Sequence, residues 1–449
     1  MGADTGLFEP ILTPDSLLAA TSDQAWLRGM LAFEAELAGA QAEEGLVPEE
    51  AARAIAGACA RLRPDAAELG RAARSTGNPV VPLLRALRDV LEPEAAGHLH
   101  LGATSQDVID TAAMLVARGA TGLIVADLAR ARRAAATLAG AHRGTLAAGR
   151  TLLQQAAPLS FGLRAAGWLT ALVDGATGLE RVRSDRLAVQ LGGAVGTLAA
   201  FGEHGPRVAA RLATRLELAE PALPWHTDRV RIAELACALG IAAGVAAKVA
   251  LDVVLLAQTE VAEVQEGGEG RGGSSTMPHK RNPIGAVTAI GAARRAQGQV
   301  SVLLAAMAQE QERAAGAWHA EWQTLTDLLR SAGGAVAAVA DVLEGLRVDP
   351  AALARNLEAS HGLLLAERVM LDLAPEVGRR RAEAILEAAS RRAVEVGSLR
   401  RALDAEPEIT SRRSPDRLDA LCDPAGYLGS SQVFIDRALA AHRRLEEEA

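Results

Sequence analysis

Five stretches of this chain, residues 111–143, 161–183, 229–266, 283–313 and 322–346, repeat apolar residues at the three-and-four spacing of one helix face. Each is far longer than the average globular helix of about 12 residues. Ala and Gly are scattered through faces that would otherwise carry bulky side chains, which lets helices approach one another closely. Apolar stripes of that length must be covered by neighbouring helices or by other subunits. The pattern predicts an all-α fold built on a long central helical bundle, and an oligomer. Composition points the same way, with 49% of residues hydrophobic but only 2% aromatic. Ala, Leu, Arg and Glu lose little entropy in a helix, whereas strands draw on Ile, Tyr, Phe, Trp and Thr. An all-β sandwich is excluded.

At 449 residues the chain has room for two or three domains. Residues 1–102 read as shorter helices punctuated by Pro10, Pro14, Pro48, Pro64, Pro79, Pro82 and Pro93. Residues 103–349 hold the long helices, and a second set of short helices follows Asp349-Pro350 over 350–449. The expected partition is a small helical domain at each end of a central bundle that carries the oligomer contacts and the active site.

The 47 Lys and Arg against 55 Asp and Glu leave a net charge of -8, which argues against nucleic acid or an anionic membrane as the main partner. An anionic substrate then needs a locally positive pocket. Cys59, Cys237 and Cys422 stand far apart, so no disulfide framework is expected and a reducing cytoplasm fits. Residues 1–10 carry Asp4 and Glu9 and lack the basic and apolar runs of a signal peptide. The longest uncharged stretch, the sixteen residues 187–202, falls short of the roughly 20 needed to cross a bilayer. A soluble protein is expected.

The most unusual stretch is Glu266-Gly-Gly-Glu-Gly-Arg-Gly-Gly-Ser-Ser-Thr-Met-Pro-His-Lys-Arg-Asn-Pro283. It formally contains GxGxxG at Gly268, Gly270 and Gly273, but a dinucleotide fingerprint follows a buried strand and opens a helix. Here a long helix precedes it, and Pro278 and Pro283 follow. What the stretch offers is a glycine-rich loop whose N–H groups can turn inward, hydroxyls at Ser274 and Ser275, a cation at Lys280, and a helix beginning near Pro283. The N-terminus of that helix adds partial positive charge, so the set suits a carboxylate or a developing enolate. As a bare Gly-rich segment it would be a mobile surface loop; Ser-Ser, Met-Pro and Lys-x-Asn-Pro together favour a site. Thr104, Ser105 and Gln106 precede a helix starting near Asp107 and offer hydroxyls and free N–H groups, although alone they would read as an ordinary N-cap. His319 lies between Trp318 and Trp322, a pairing more often made for packing than for recognition; His226 is left open. No zinc-type His spacing and no Cys–His pairing supports metal or thiol chemistry.

The run Gly273-Ser274-Ser275-Thr276-Met277-Pro278-His279-Lys280-Arg281-Asn282-Pro283 resembles the signature loop of the fumarase/aspartase superfamily. Two further stretches agree in the expected order: His100-Leu-Gly-Ala-Thr-Ser-Gln-Asp107 followed by Asp110-Thr111, and Gly149-Arg-Thr-Leu-Leu-Gln-Gln-Ala-Ala-Pro158. The resemblance implies a homotetramer in which these three regions, from three subunits, meet at each of the active sites. It implies Ser274 and Lys280 as catalytic residues. It also implies His100, Thr104, Ser105, Gln106, Thr151, Gln154, Ser275, Met277 and Asn282 as substrate contacts, with no metal and no cofactor.

Lyases of the superfamily carry a His directly after the Thr of the second region, where this chain has Leu152, and Leu cannot transfer a proton. That sets the chain apart from adenylosuccinate lyase and similar fumarate-releasing members, which remain the alternative. The bacterial cycloisomerases of the superfamily have an apolar residue followed by Leu-Gln at this point. Pro224-Trp-His-Thr227, Glu310-Gln-Glu-Arg-Ala-Ala-Gly-Ala-Trp-His-Ala-Glu-Trp322, Gly362-Leu-Leu-Leu-Ala-Glu367 and Asp423-Pro-Ala-Gly-Tyr-Leu-Gly429 resemble that branch too. One departure lies at Asp228-Arg229-Val230-Arg231, where Arg-Asp-Arg is expected after a different residue. The branch implies an intramolecular addition in aromatic-compound catabolism: a carboxylate oxygen of a tricarboxylate diene attacks a double bond, a lactone closes, and the neighbouring carbon is protonated from Ser274 or Lys280. A catalytically silent scaffold, as among the lens proteins of the superfamily, is disfavoured by the intact Ser274, Lys280 and Asn282.

Overall fold

The computed structural model describes residues 6–267, 272–273, 276–277 and 280–447. Among these residues the regular structure is helical apart from two short antiparallel strand pairs and two isolated bridges. An early helix, α1 (Asp23–Glu43), is capped by the Ser22 hydroxyl, which accepts from the Ala25 N–H. The five apolar stretches are helices α2 (Ser105–Ala141), α3 (Phe161–Asp185), α4 (Val230–Leu256), α5 (Ile284–Ala305) and α6 (Ala317–Gly345). Ala112, Ala117, Ala120, Ala131, Ala135 and Ala139 of α2 are fully buried, the small-residue face that the composition implied. By length and composition α2 and α4 could cross a bilayer, yet each buries half or more of its apolar stretch within the protein.

Two apolar patterns overrun the helices they announce. The fourth helix ends at Leu256 rather than near 266, because Ala262 takes a left-handed φ of 51° and Val264 belongs to a strand. The fifth ends at Ala305 rather than at 313, ahead of Gln311 at a φ of 44°. A left-handed residue cannot continue a right-handed helix, whatever its neighbours' hydrophobicity.

The strands were not apparent from the sequence. β1 (Leu146–Thr151) pairs with β2 (Gln154–Ser160) from Leu146↔Ser160 to Thr151↔Gln154, with an irregularity between Ala148 and Arg150. Gly149 sits at that bulge, where a Cβ would lie 2.7 Å from the Ala157 carbonyl oxygen, so only glycine fits. Leu152 and Leu153 form the two-residue turn at φ of 50° and 66°, geometry usually given to Asn-Gly. A second pair joins β3 (Val264–Gln265) to β4 (Arg347–Val348), just before α7 (Pro350–Glu358).

By compactness the chain forms two units, Met1–Leu128 with Gly175–Ala247 and Thr288–Ala338, and Ala129–Asp174 with Lys248–Val287 and Val339–Ala449. Their borders fall inside the five long helices. The first motif region belongs to the first unit, and the second and third regions belong to the second.

Candidate functional site

The first region is a tight turn followed by a helix start. His100, at a φ of 62°, and Gly102, at 73°, turn the chain so that Thr104 caps α2. Asp107, three residues on, returns its Oδ2 to the Thr104 N–H at 3.0 Å, one half of a capping box. The same carboxylate accepts from the N–H groups of Gly192 and Gly193 and meets Nε2 of His226 at 2.6 Å. Asp107 therefore ties the turn, the 192–193 segment and His226 together. The amides that the sequence suggested were free here are in part used by the protein itself: the Thr104 N–H belongs to Asp107.

Gln106 is buried, and its amide is consumed locally. Nε2 donates to Asp110 Oδ2 (3.1 Å) and to the His226 carbonyl (2.7 Å), while Oε1 accepts from Arg313 (3.3 Å). Beneath it lies a buried ionic cluster in which Arg229 donates to both oxygens of Asp110 and both oxygens of Glu321. Trp318 Nε1 adds a donor to Asp110 at 2.9 Å, and Gln309 adds one to Glu321. Burial pushes the Glu321 carboxyl up, with Arg229 pulling the other way. Burial opposes the Arg229 charge, but Asp110 and Glu321 outweigh it and hold the guanidinium firmly protonated. Trp318 and Trp322 pack edge to face at 4.8 Å, and His319 is exposed with Nε2 donating to the Gly77 carbonyl.

The second region is the tip of the β1–β2 hairpin. Thr151 and Gln154 face each other across the turn, and both are exposed, as are Leu152 and Leu153 between them. The stem is anchored by Arg150, which makes a two-pronged bond at 2.9 and 2.6 Å to the fully buried Glu263. Asn356 of α7 donates to the same carboxylate, and Gln155 donates back to the Asn356 carbonyl.

The third region is the glycine-rich loop; Ser274, Ser275, Pro278 and His279 lie outside the described residues. Its described base is closed by Asn282, whose backbone N–H and Nδ2 both donate to the Gly272 carbonyl, and by a bridge between Gly273 and Arg281. Gly272 is at a φ of 69°, and a Cβ there would lie 2.1 Å from the Asn282 carbonyl oxygen. Met277 is exposed, and so is Lys280, whose backbone N–H donates to the Met277 carbonyl. The positive end of α5 is not offered to a ligand as the sequence suggested. Glu266, at the loop's entrance, accepts from the Gly285 and Ala286 N–H groups at 3.0 and 2.8 Å. That carboxylate satisfies the helix dipole internally, and Lys280 and Arg281 are exposed cations at the loop's described end.

Motif reasoning missed Glu34 and Glu263, and it quoted Asp107, Arg229 and Glu266 without giving them a role. The only sequence signal for them is an acid or base inside an otherwise apolar helix or beside a motif.

A long-helix protein with a capped helix start, a hairpin tip and a glycine-rich loop as its motif-bearing elements is a fumarase/aspartase-type fold. A family model described as Lyase matches residues 12–298, and one described as Adenylosuccinate lyase C-terminus matches 362–438. The chain belongs to this lyase family. It is 48% identical to 3-carboxy-cis,cis-muconate cycloisomerase of Bradyrhizobium diazoefficiens, over 98% of both chains. It is 44% identical to nitrosuccinate lyase of Streptomyces davaonensis, over 98% of this chain and 96% of that one. The crystal structure of the 3-carboxy-cis,cis-muconate lactonizing enzyme from Pseudomonas putida superimposes with a TM-score of 0.91 at 44% identity, covering 98% of this chain and 99% of that one.

Proposed function

We propose that the protein is a cycloisomerase that closes 3-carboxy-cis,cis-muconate to 4-carboxymuconolactone in protocatechuate breakdown. The observation that carries the reading is the near full-length identity to cycloisomerases together with Leu152 at the hairpin tip, where an eliminating lyase needs a proton-transferring group. One substrate carboxylate oxygen forms a C–O bond to the alkene carbon. The π pair moves to the adjacent carbon, where a neighbouring carboxylate spreads it as an enolate, and that carbon takes a proton. Groups that strengthen their interaction as this charge develops lower the barrier. In this reading Ser274 and Lys280 supply the acid–base chemistry. His100, Thr104, Ser105, Thr151, Gln154, Ser275, Met277 and Asn282 surround the tricarboxylate, and Gln106 shapes the first region from behind.

The site is completed by assembly as a homotetramer in the cytoplasm, with residues 1–102, 103–349 and 350–449 as end domain, bundle and end domain. Exposed Ile241 and Leu251 on α4, and Ile284, Val287, Val302 and Leu304 on α5, support this, since such apolar rows on long helices are covered by further copies. Purified protein mixed with 3-carboxy-cis,cis-muconate is expected to bleach the ultraviolet absorbance of the conjugated diene with nothing else added. No bleaching, with fumarate released from adenylosuccinate or nitrosuccinate instead, overturns the proposal. Ser274→Ala and Lys280→Met should each lower turnover by at least about a hundredfold; near-normal rates in both remove the loop from the chemistry.

A further inference from the structure

Helix α1 buries a run of apolar side chains, including Leu27, Met30, Phe33 and Leu37, and among them two polar ones, Glu34 and Gln41, each 1% exposed. They stand seven residues apart, two turns along one face. Both reach the same short turn. Gln41 Nε2 donates to the Leu101 carbonyl at 2.7 Å, and Glu34 Oε1 meets His100 Nδ1 at 2.7 Å. This is the turn that leads into Thr104 and Ser105.

The arrangement is expensive. The second oxygen of Glu34 is buried without a hydrogen-bond partner among the described residues, and an incompletely paired buried carboxylate is strongly disfavoured. Beside it, burial and then the Glu34 charge push the Cys59 thiol up to about 12, so Cys59 stays neutral and offers no compensation. His100 itself holds a left-handed backbone, which a side chain with a Cβ adopts reluctantly. Two costs converge on one histidine, the pattern of a side chain held for use. With Nδ1 directed at Glu34, the opposite ring nitrogen has no partner among the described residues, and the side chain is 14% exposed, enough to be reached.

We propose that Glu34 is a positioning residue for the lactonisation: acting through His100, it presents the imidazolium Nε2–H to one carboxylate of the trianionic substrate. This rests on the function proposed above. Burial pulls the His100 imidazole down, but the hydrogen bond and charge of Glu34, aided by Asp107 and opposed by Arg88, leave it above its ordinary value. The folded value being raised, the cation is fully present below the ordinary value and is lost as pH rises through the folded one. Substrate anchoring must follow the same course.

The test compares wild type, Glu34→Gln and His100→Gln in steady-state kinetics across about pH 5 to 9. Glu34→Gln should raise KM at least about tenfold near neutrality, as the loss of a charge-assisted contact does, with kcat within about threefold. Its alkaline fall in kcat/KM should shift to lower pH. In His100→Gln, whose amide can still donate to Glu34 and support folding, that fall should disappear. An unmoved limb with wild-type KM in Glu34→Gln, or a limb that persists in His100→Gln, overturns the proposal. A loss confined to kcat marks a merely structural role and overturns it as well. Wild type that fails to lactonise removes the underlying function, a result readily told apart from the others.

Discussion

Arg229→Met keeps most of the side-chain volume but removes the one cation between Asp110 and Glu321, all three groups being nearly inaccessible. The two acids do not suffer equally. Among the described residues Asp110 retains donors from Trp318, Gln106 and Gln190, whereas Glu321 retains Gln309 alone. Breaking a buried pair by removing one partner costs about 3–5 kcal/mol because a charge is left behind. For a unit of this size that lowers the melting temperature by on the order of 10 °C. Glu321, already raised by burial, rises further in the variant once Arg229 no longer pulls it down. Its folded value then exceeds its unfolded one, so the penalty is absent at pH below the unfolded value and grows as pH rises through the folded one. The gap to wild type should therefore narrow as pH is lowered from 8 toward about 5. Adding Glu321→Gln to Arg229→Met should recover much of the loss at neutral pH. Thermal melts of the single and double variants across that range decide the matter. A deficit under about 1 kcal/mol, or one that does not change with pH, refutes the reasoning, since the carboxylates would then have found other partners.

Four further outcomes are expected. Glu266→Gln removes the charge at the neck of the glycine-rich loop; turnover should fall about tenfold and trypsin should cut faster at Arg271, Lys280 or Arg281, with little change in melting temperature. Arg150→Met leaves Glu263 to Asn356 and Arg164, which should cost about 3 kcal/mol and, by loosening the Thr151–Gln154 tip, lower kcat/KM beyond any loss of folded protein. Leu153→Gly relieves a left-handed φ of 66°, so stability should rise by about 0.5–1 kcal/mol in melts, while activity drops if the tip works inside a neighbouring subunit. Lys280→Arg retains charge but not an exchangeable acid, so kcat should fall at least about a hundredfold with KM changed less than in Lys280→Met.

The long helices were legible because an apolar stripe repeats locally, and the glycine-rich loop because its residues are contiguous. The hairpin was not: Leu-Ala-Ala-Gly-Arg-Thr and Gln-Gln-Ala-Ala-Pro-Leu-Ser lack the β-branched and aromatic alternation that marks strands, and their pairing is imposed by tertiary anchors such as Arg150 on Glu263. Helix ends were misjudged where Val264 kept the apolar spacing while the backbone had already turned at Ala262. Glu34 and Gln41 carry no local signal, because their partners lie about 60 residues further along the chain.

A common device emerges from what the sequence concealed. Each of the three motif regions is held by an acid that the motif does not contain or that serves only structure: Glu34 and Asp107 behind the first, Glu263 behind the hairpin, Glu266 across the neck of the loop. These carboxylates account for part of the acidic excess and commit their charge to contacts within the protein. The cations show the complementary economy. Of 47 basic residues only two are lysine, and one of these, Lys248, is paired with Asp252. A chain so committed to arginine has little need of lysine for charge alone, since arginine forms the stronger fork to a carboxylate. Lysine at 280 differs from arginine in carrying an ammonium, a group that can transfer a proton within a catalytic cycle as a guanidinium cannot. In the proposed reaction, where Ser274 or Lys280 protonates the carbon beside the new C–O bond, this asymmetry favours Lys280, and the Lys280→Arg kinetics separate its charge from its proton.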